Sequence, residues 1–280
     1  MKRALDVYYP GKGFPSVSTT GRSCSLACRH CAGRYLEGMV PVTEPEELVS
    51  FARALASGGG RGMLLSGGCD AEGRVRLERF AQAIREIKGS TDLVVNAHVG
   101  LTPRSGLEEL FEAGVDCFSV DVYGDDGTVE EVLGVRAAAD EYAAVVGHLL
   151  DIGAQVAPHI CIGVRGGEMG HERAAVDRMA RLSPGTLVLI SFIPTRGTAY
   201  AARSPPDGGE IVSVVSYARS ALPRTRLLLG CMRAKRDRSW EMEAVRAGLD
   251  GIVLPSEETL RAAASLGYEV RKKETCCAIV

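Results

Sequence analysis

Nine cysteines stand in the 280-residue chain, and three of them form a run. Gly21-Arg22-Ser23-Cys24-Ser25-Leu26-Ala27-Cys28-Arg29-His30-Cys31 has the spacing C-x3-C-x2-C. Three thiolates hold three irons of a cubane cluster and leave the fourth iron without a protein ligand, open to a substrate. An open iron is a place for chemistry. The competing reading is a structural zinc ion with His30 as fourth ligand beside the three thiolates. His30 lies between Cys28 and Cys31, however, where its ring has difficulty facing the same ion, and structural zinc sites usually pair two separated knuckles. The odd cysteine count and clustered spacing speak against a disulfide framework.

Six cysteines remain: Cys69, Cys117, Cys161, Cys231, Cys276 and Cys277. Cys69 and Cys231 fall at the C-terminal ends of predicted strands. About ten residues lie between Gly267 and the Cys276–Cys277 pair, and at ~3.3 Å per extended residue they reach back across a barrel. Cys69, Cys231, Cys276 and Cys277 are therefore candidate ligands of a second site at the barrel mouth. Cys117 and Cys161 read instead as small buried hydrophobes, a common fate of free cysteine. His98, at the end of the third predicted strand, and His159, on the fifth, could approach substrate or act on protons. Lone histidines on apolar strands are usually core residues with satisfied nitrogens, which puts that role second; Asn96 reads the same way.

The elements that must position these residues alternate. Short β-rich runs near 14–20, 62–66, 92–98, 117–123, 155–164, 186–193, 226–231 and 250–254 are each followed by helical pattern. Eight such βα units predict an α/β chain folded as a single (β/α)8 TIM-type barrel over residues 1–267, with a cysteine-bearing tail over 268–280. Helix starts are legible at Thr43-Glu44-Pro45-Glu46-Glu47 and at Ser256-Glu257-Glu258, and Gly267 offers a stop. Arg203 to Gly209 reads as an exposed loop. Barrel active sites sit at the C-terminal ends of the strands, and the cysteine run follows the first predicted strand as that rule requires.

Composition narrows the function. Apolar residues make up 46% and charged residues 24% of the chain, with a net charge of −2 and scattered basic residues. That is no footprint of a nucleic-acid binder. No apolar run reaches membrane-spanning length, and the first residues lack a signal-peptide core, so a cytoplasmic protein with no membrane partner is expected. Cys277 to Val280 has the shape of a prenylation box without the upstream basic residues that anchor one.

The cysteine run resembles the defining motif of the radical S-adenosylmethionine superfamily. The resemblance implies a [4Fe-4S] cluster on Cys24, Cys28 and Cys31 whose open iron chelates S-adenosylmethionine. Reductive cleavage then yields a 5′-deoxyadenosyl radical for hydrogen abstraction, with an electron from a reductant such as ferredoxin. It further implies roles for other residues. His30 packs against the cosubstrate. Gly67 and Gly68, in Ser66-Gly67-Gly68-Cys69, resemble the glycine-rich turn that meets its amino group, although Cys69 stands where the family has an acid. Asp121 is the ribose candidate, Ile162 and Val164 the apolar contacts of the adenine. Phe192 and Ile193 open a segment, Phe192 to Thr198, similar to biotin synthase, as is Gly230 to Arg233.

Biotin and lipoyl synthases carry an auxiliary cluster that donates sulfur, and the four cysteines outside the run suit that role here. Cys-Ser-Leu-x-Cys-x-His-Cys and Leu-Ser-Gly-Gly-Cys are most similar to subunits of the archaeal-type two-component lipoyl synthases. That resemblance implies sulfur insertion into an octanoyl group on a carrier-protein lysine, shared with a sister radical subunit. The rivals are a rearrangement or carbon–carbon bond reaction on a small metabolite without an auxiliary cluster, and a non-catalytic zinc scaffold.

Overall fold

A computed structural model describes residues 3–279; Met1, Lys2 and Val280 lie outside the described residues, and with Val280 part of the prenylation-box reading. Eleven strands form one wholly parallel sheet: β1 (Ala4–Tyr8), β2 (Ser16–Ser18), β3 (Val40–Pro41), β4 (Gly62–Ser66), β5 (Val94–Val99), β6 (Cys117–Asp121), β7 (Val156–Ile162), β8 (Thr186–Ser191), β9 (Arg226–Leu229), β10 (Gly251–Val253) and β11 (Glu269–Lys273). Their order is β11-β1-β10-β9-β8-β7-β6-β5-β4-β2-β3. The eight predicted strands are β2 and β4 to β10, each paired with the next in sequence. Helices fill the crossovers, as a TIM-type α/β winding demands.

The edges differ from a closed eight-stranded ring. β10 pairs with β1 through Asp6↔Gly251, and β1 pairs in turn with β11 through Ala4↔Glu269. The curled sheet is therefore open between β11 and the short β3. Both extra strands at this edge escape apolar patterning for electrostatic reasons. β1 carries the buried Asp6, whose carboxylate is held by Arg226 and, at 2.7 Å, by Arg271 Nε. β11 is Glu-Val-Arg-Lys-Lys and mostly exposed, a charged edge of the kind that discourages further pairing. The segment beyond Tyr268 thus enters the sheet before its cysteines are reached.

Strand side chains alternate between two faces. Val95, Ala97 and Val99 of β5, Phe118 and Val120 of β6, Ile160 and Ile162 of β7, and Leu187 and Leu189 of β8 pack outward with the helices in the main core. Each of these large buried side chains contributes roughly 1.5–3 kcal/mol. The opposite parity faces the bore. Along β5 to β7 that face is polar, with Asn96, His98, Ser119, Asp121 and His159. Along β8 to β10 it is apolar: Val188, Leu228 and Val253 form a separate buried cluster with Tyr8, Cys117 and Ala157. Cys277 and Ala278 are buried in that same cluster, with Cys276 and Ile279 packed against it. The last described residues have turned back into the bore.

Local signals hold at the helix starts. The helix Pro45–Ser57 begins on its proline, with Glu44 rather than Thr43 as the cap, because Glu47 accepts from the N–H groups of both Thr43 and Glu44. Ser256 caps Glu257–Ser265 by accepting from Thr259 N at 3.1 Å.

Candidate active site

The cysteine run leaves β2 and is pinned to its neighbours by backbone. Thr20 Oγ1 accepts from Gly68 N at 2.7 Å and donates to Ser23 O at 2.8 Å, so one hydroxyl ties the turn after β4 to the cysteine loop. Ser25 N donates to Cys69 O at 2.8 Å, and Arg29 N to Val132 O at 2.8 Å. A Cβ on Gly68 would lie 2.0 Å from Ser23 O and 2.7 Å from Cys24 Cα, so only glycine admits this approach. The loop is held before any ligand arrives.

Cys28 is buried in a small apolar cluster with Tyr123, Val132, Tyr142 and Val164, with Cys31 packed at its edge. Its thiol donates to Cys31. That hydrogen bond lowers the Cys31 thiol to about 4 against the opposing effect of burial, with His30 helping; the same bond and burial push Cys28 up. A thiolate is the form that binds iron. His30 lies beside Tyr35, ring centroids 6.1 Å apart, and its Nδ1 is buried without a hydrogen-bond partner. Among the described residues no three His, Cys, Asp or Glu side chains converge on a point suited to a single metal ion. A cubane asks for no such convergence, since each thiolate meets a different iron. Three thiols, an orphaned imidazole nitrogen and a bare glycine cradle fit a cluster with a small-molecule ligand.

Inside the bore, the Asp121 carboxylate lies 3.5 Å from His98 Nε2, and His159 stacks on His98 with centroids 5.6 Å apart. Burial opposes the Asp121 charge, but His98 more than offsets it and holds the carboxyl at about 2. Burial likewise works against a charged His98, yet Asp121 raises it; His159, buried and facing His98, falls to about 4. His159 Nδ1 pairs with Ala157 O at 2.9 Å, and Ser119 Oγ donates to Asn96 Oδ1 at 3.0 Å. The two histidines, read first as core residues and second as groups able to approach substrate, face the bore beside the carboxylate. Parity was the missed signal: Asn96 and His98 alternate with Val95, Ala97 and Val99.

The other expected contacts divide. Val164 packs with Cys28, whereas Ile162 is wholly buried toward the helices and is not brought to the mouth. Its position on β7, opposite in parity to Cys161, is the reason. Phe192 is buried edge-on to Tyr200, with centroids 5.9 Å apart. Ile193 is half-buried, its carbonyl accepting from Thr195 Oγ1 at 3.0 Å, and Thr195 Oγ1 lies 3.3 Å from Tyr35 OH. The segment after β8 therefore leans on the cysteine loop.

The four candidate ligands of a second site are not all together. Cys69 stands with Cys24, Cys31 and Asp121, its thiol raised to about 12 by burial and then by Cys24. Cys231 is exposed on the turn after β9. Cys276 and Cys277 lie in the bore; Cys277 donates to Cys276, which lowers the Cys276 thiol to about 7 against burial, while Cys277 rises.

Comparison with known proteins agrees with this geometry. Biotin synthase of Bordetella avium is 24% identical over 237 residues, covering 82% of this chain and 70% of the relative. The solved structure of HydG, a maturase of the [FeFe]-hydrogenase, superposes with a TM-score of 0.67 at 15% identity, over 99% of this chain and 65% of that one. Methylornithine synthase gives a TM-score of 0.64 at 16% identity, over 96% and 83%. At those identities the two structures speak for the fold. No described helix is long and apolar enough to cross a membrane. Residues 18–178, more than half of the chain and spanning the cysteine run, the glycine turn and Asp121, match the Radical SAM superfamily, and the chain belongs to that superfamily.

Proposed function

We propose that this radical S-adenosylmethionine enzyme abstracts hydrogen from an aliphatic chain and inserts sulfur there. A protein-bound octanoyl group would be the substrate, in lipoyl synthesis shared with a sister radical subunit. The observation that carries the reading is the Cys276–Cys277 pair folded back into the bore, and it supports a second, sulfur-donating cluster held by thiols there. Similarity to biotin synthases supports sulfur insertion as the reaction class. Bound at Cys24, Cys28 and Cys31, the [4Fe-4S] cluster supplies the electron that cleaves S-adenosylmethionine and so the radical.

The chain's own residues do the positioning. Gly68 N is spent on Thr20, so the carbonyls of the Gly67–Gly68 turn are the groups left for the cosubstrate's ammonium. The buried His30 Nδ1 offers a polar contact beside the cluster. Val164 and the apolar cluster around Cys28 exclude water from that side. In this reading a cytoplasmic reductant of the ferredoxin type supplies the electrons.

Anaerobic reconstitution with iron and sulfide tests the reading. About eight irons per chain are expected, falling to about four in Cys276→Ala/Cys277→Ala, which still releases 5′-deoxyadenosine. An octanoyl-lysine peptide should gain sulfur with the intact protein and its sister subunit. Iron unchanged by the double substitution would sink sulfur insertion. A second reading has its own observation: the His98–Asp121–His159 face suits a compact polar substrate, undergoing rearrangement or carbon–carbon bond chemistry. It requires about four irons from the outset.

A further inference from the structure

The nine cysteines divide in space differently from their division along the chain. Cys69 lies with the triplet, its carbonyl bonded to Ser25 N, and Cys161 packs at the edge of the Cys28 cluster. Of the other four, Cys117, Cys276 and Cys277 gather on the apolar half of the bore, and Cys231 stands exposed on the turn at its edge. Cys117 Sγ lies 3.3 Å from Ala278 O, so the first residue of β6 touches the chain immediately after the cysteine pair. Asn96, the ladder partner of Cys117 on β5, reaches Cys276 Sγ at 3.7 Å. The turn bearing Cys231 sits down on the same patch: a Cβ on Gly230 would lie 2.6 Å from Ile190 Cγ2 and 3.0 Å from Val188 Cγ1. Val188 belongs to the cluster that buries Cys117 and Cys277, and Ile190 packs against it.

We infer that Cys117, Cys231, Cys276 and Cys277 form the ligand set of the second iron–sulfur cluster, and that Cys69 is not among them. This rests on the sulfur-inserting reading above. Cys117 and Cys277 are buried in one patch with Ala157, Val188, Leu228 and Val253, Cys276 packs against it, and the turn that carries the exposed Cys231 rests on Val188 and Ile190 at its edge. A cluster takes one thiolate per iron and so asks for no convergence of the four sulfurs on a single point. Binding deprotonates the thiols and replaces two hydrogen bonds, Cys277 to Cys276 and Cys117 to Ala278 O, with iron–sulfur bonds.

The test separates this ligand set from the existence of the cluster. Cys24→Ala/Cys28→Ala/Cys31→Ala removes the cosubstrate-binding cluster, and on reconstitution the full-length variant should retain about four irons with a charge-transfer absorption band. Adding Cys117→Ala should abolish that iron, as should Cys117→Ser, which keeps a polar partner for Ala278 O. Adding Cys69→Ala or Cys161→Ala should leave about four irons. Thermal unfolding of the apoproteins checks that the substitutions leave the fold intact. Retention of iron in both Cys117 variants, with loss in Cys69→Ala, would overturn the ligand set while leaving the second cluster in place. A triple variant that binds no iron overturns the second cluster itself and the sulfur-inserting reading with it.

Discussion

The cysteine loop and the returning tail both present thiols to the interior of one sheet, but they are organised by opposite means. The loop gathers Cys24, Cys28 and Cys31 within eight residues and is held by short-range bonds through Thr20, Ser25 and Arg29. The tail patch draws on β6, the turn after β9 and the last described residues, and is held by apolar packing across the bore. Local spacing therefore gathers the first three thiols, whereas only the assembled barrel brings those of the tail to Cys117. Damage to the loop should act on chemistry with little effect on folding, and damage near the tail should act on both.

The largest effect should come from Cys28→Ala, which removes an iron ligand: cosubstrate cleavage should vanish while the apoprotein melts close to the parent temperature. Retained 5′-deoxyadenosine release would break the contrast. Next comes Arg233, wholly buried with Glu241 at 2.7 Å and donating to Gly230 O at 2.7 Å just before Cys231. Arg233→Met should cost about 3–5 kcal/mol by leaving Glu241 buried and unpaired. Chemical denaturation reads this, and a loss under about 1 kcal/mol would show that the pair is dispensable. Gly68→Ala forces the cysteine loop away from the β4 turn; with overpacking costs of about 1–3 kcal/mol, reduced iron uptake at the first site should accompany a modest drop in melting temperature.

The smallest effect is the pH response of the His98–Asp121 pair. Asp121 falls from 3.8 to about 2, so its stabilisation is present above the unfolded value and lost as pH drops through about 2. His98 is raised from 6.5, so its contribution is full below that value and fades as pH rises through the folded one. Both side chains are partly exposed to the bore, which keeps the pair below about 1 kcal/mol. His98→Gln should flatten the stability profile between neutral and mildly alkaline pH, and an unchanged profile would mean the pair is fully screened.

Most of the fold was legible because β2 and β4 to β10 carry apolar or alternating patterns with caps and glycines between them. β1 and β11 were not, since Asp6 interrupts one and four charged residues fill the other. At the site, the C-x3-C-x2-C spacing is local and so readable. The buried setting of Cys117 was legible, but which side chains Cys69 and Cys117 meet was not, because strand register sets their neighbours and no spacing within a segment encodes it. The same holds for His98 and His159, which look like core residues until Asp121 is placed opposite.

The β1–β11 ladder has a kinetic side. It joins residues 265 positions apart, such as Asp6 and Arg271, and closing so long a loop from a disordered chain costs about 5 kcal/mol in entropy. That cost falls steeply once the intervening units have docked, so the ladder should zip late, with the barrel as its template. The segment bearing Cys276 and Cys277 follows directly on that ladder. Its arrival in the bore is then a report that every earlier unit has folded, and on the proposed ligand set iron uptake there becomes a clock for the completion of folding.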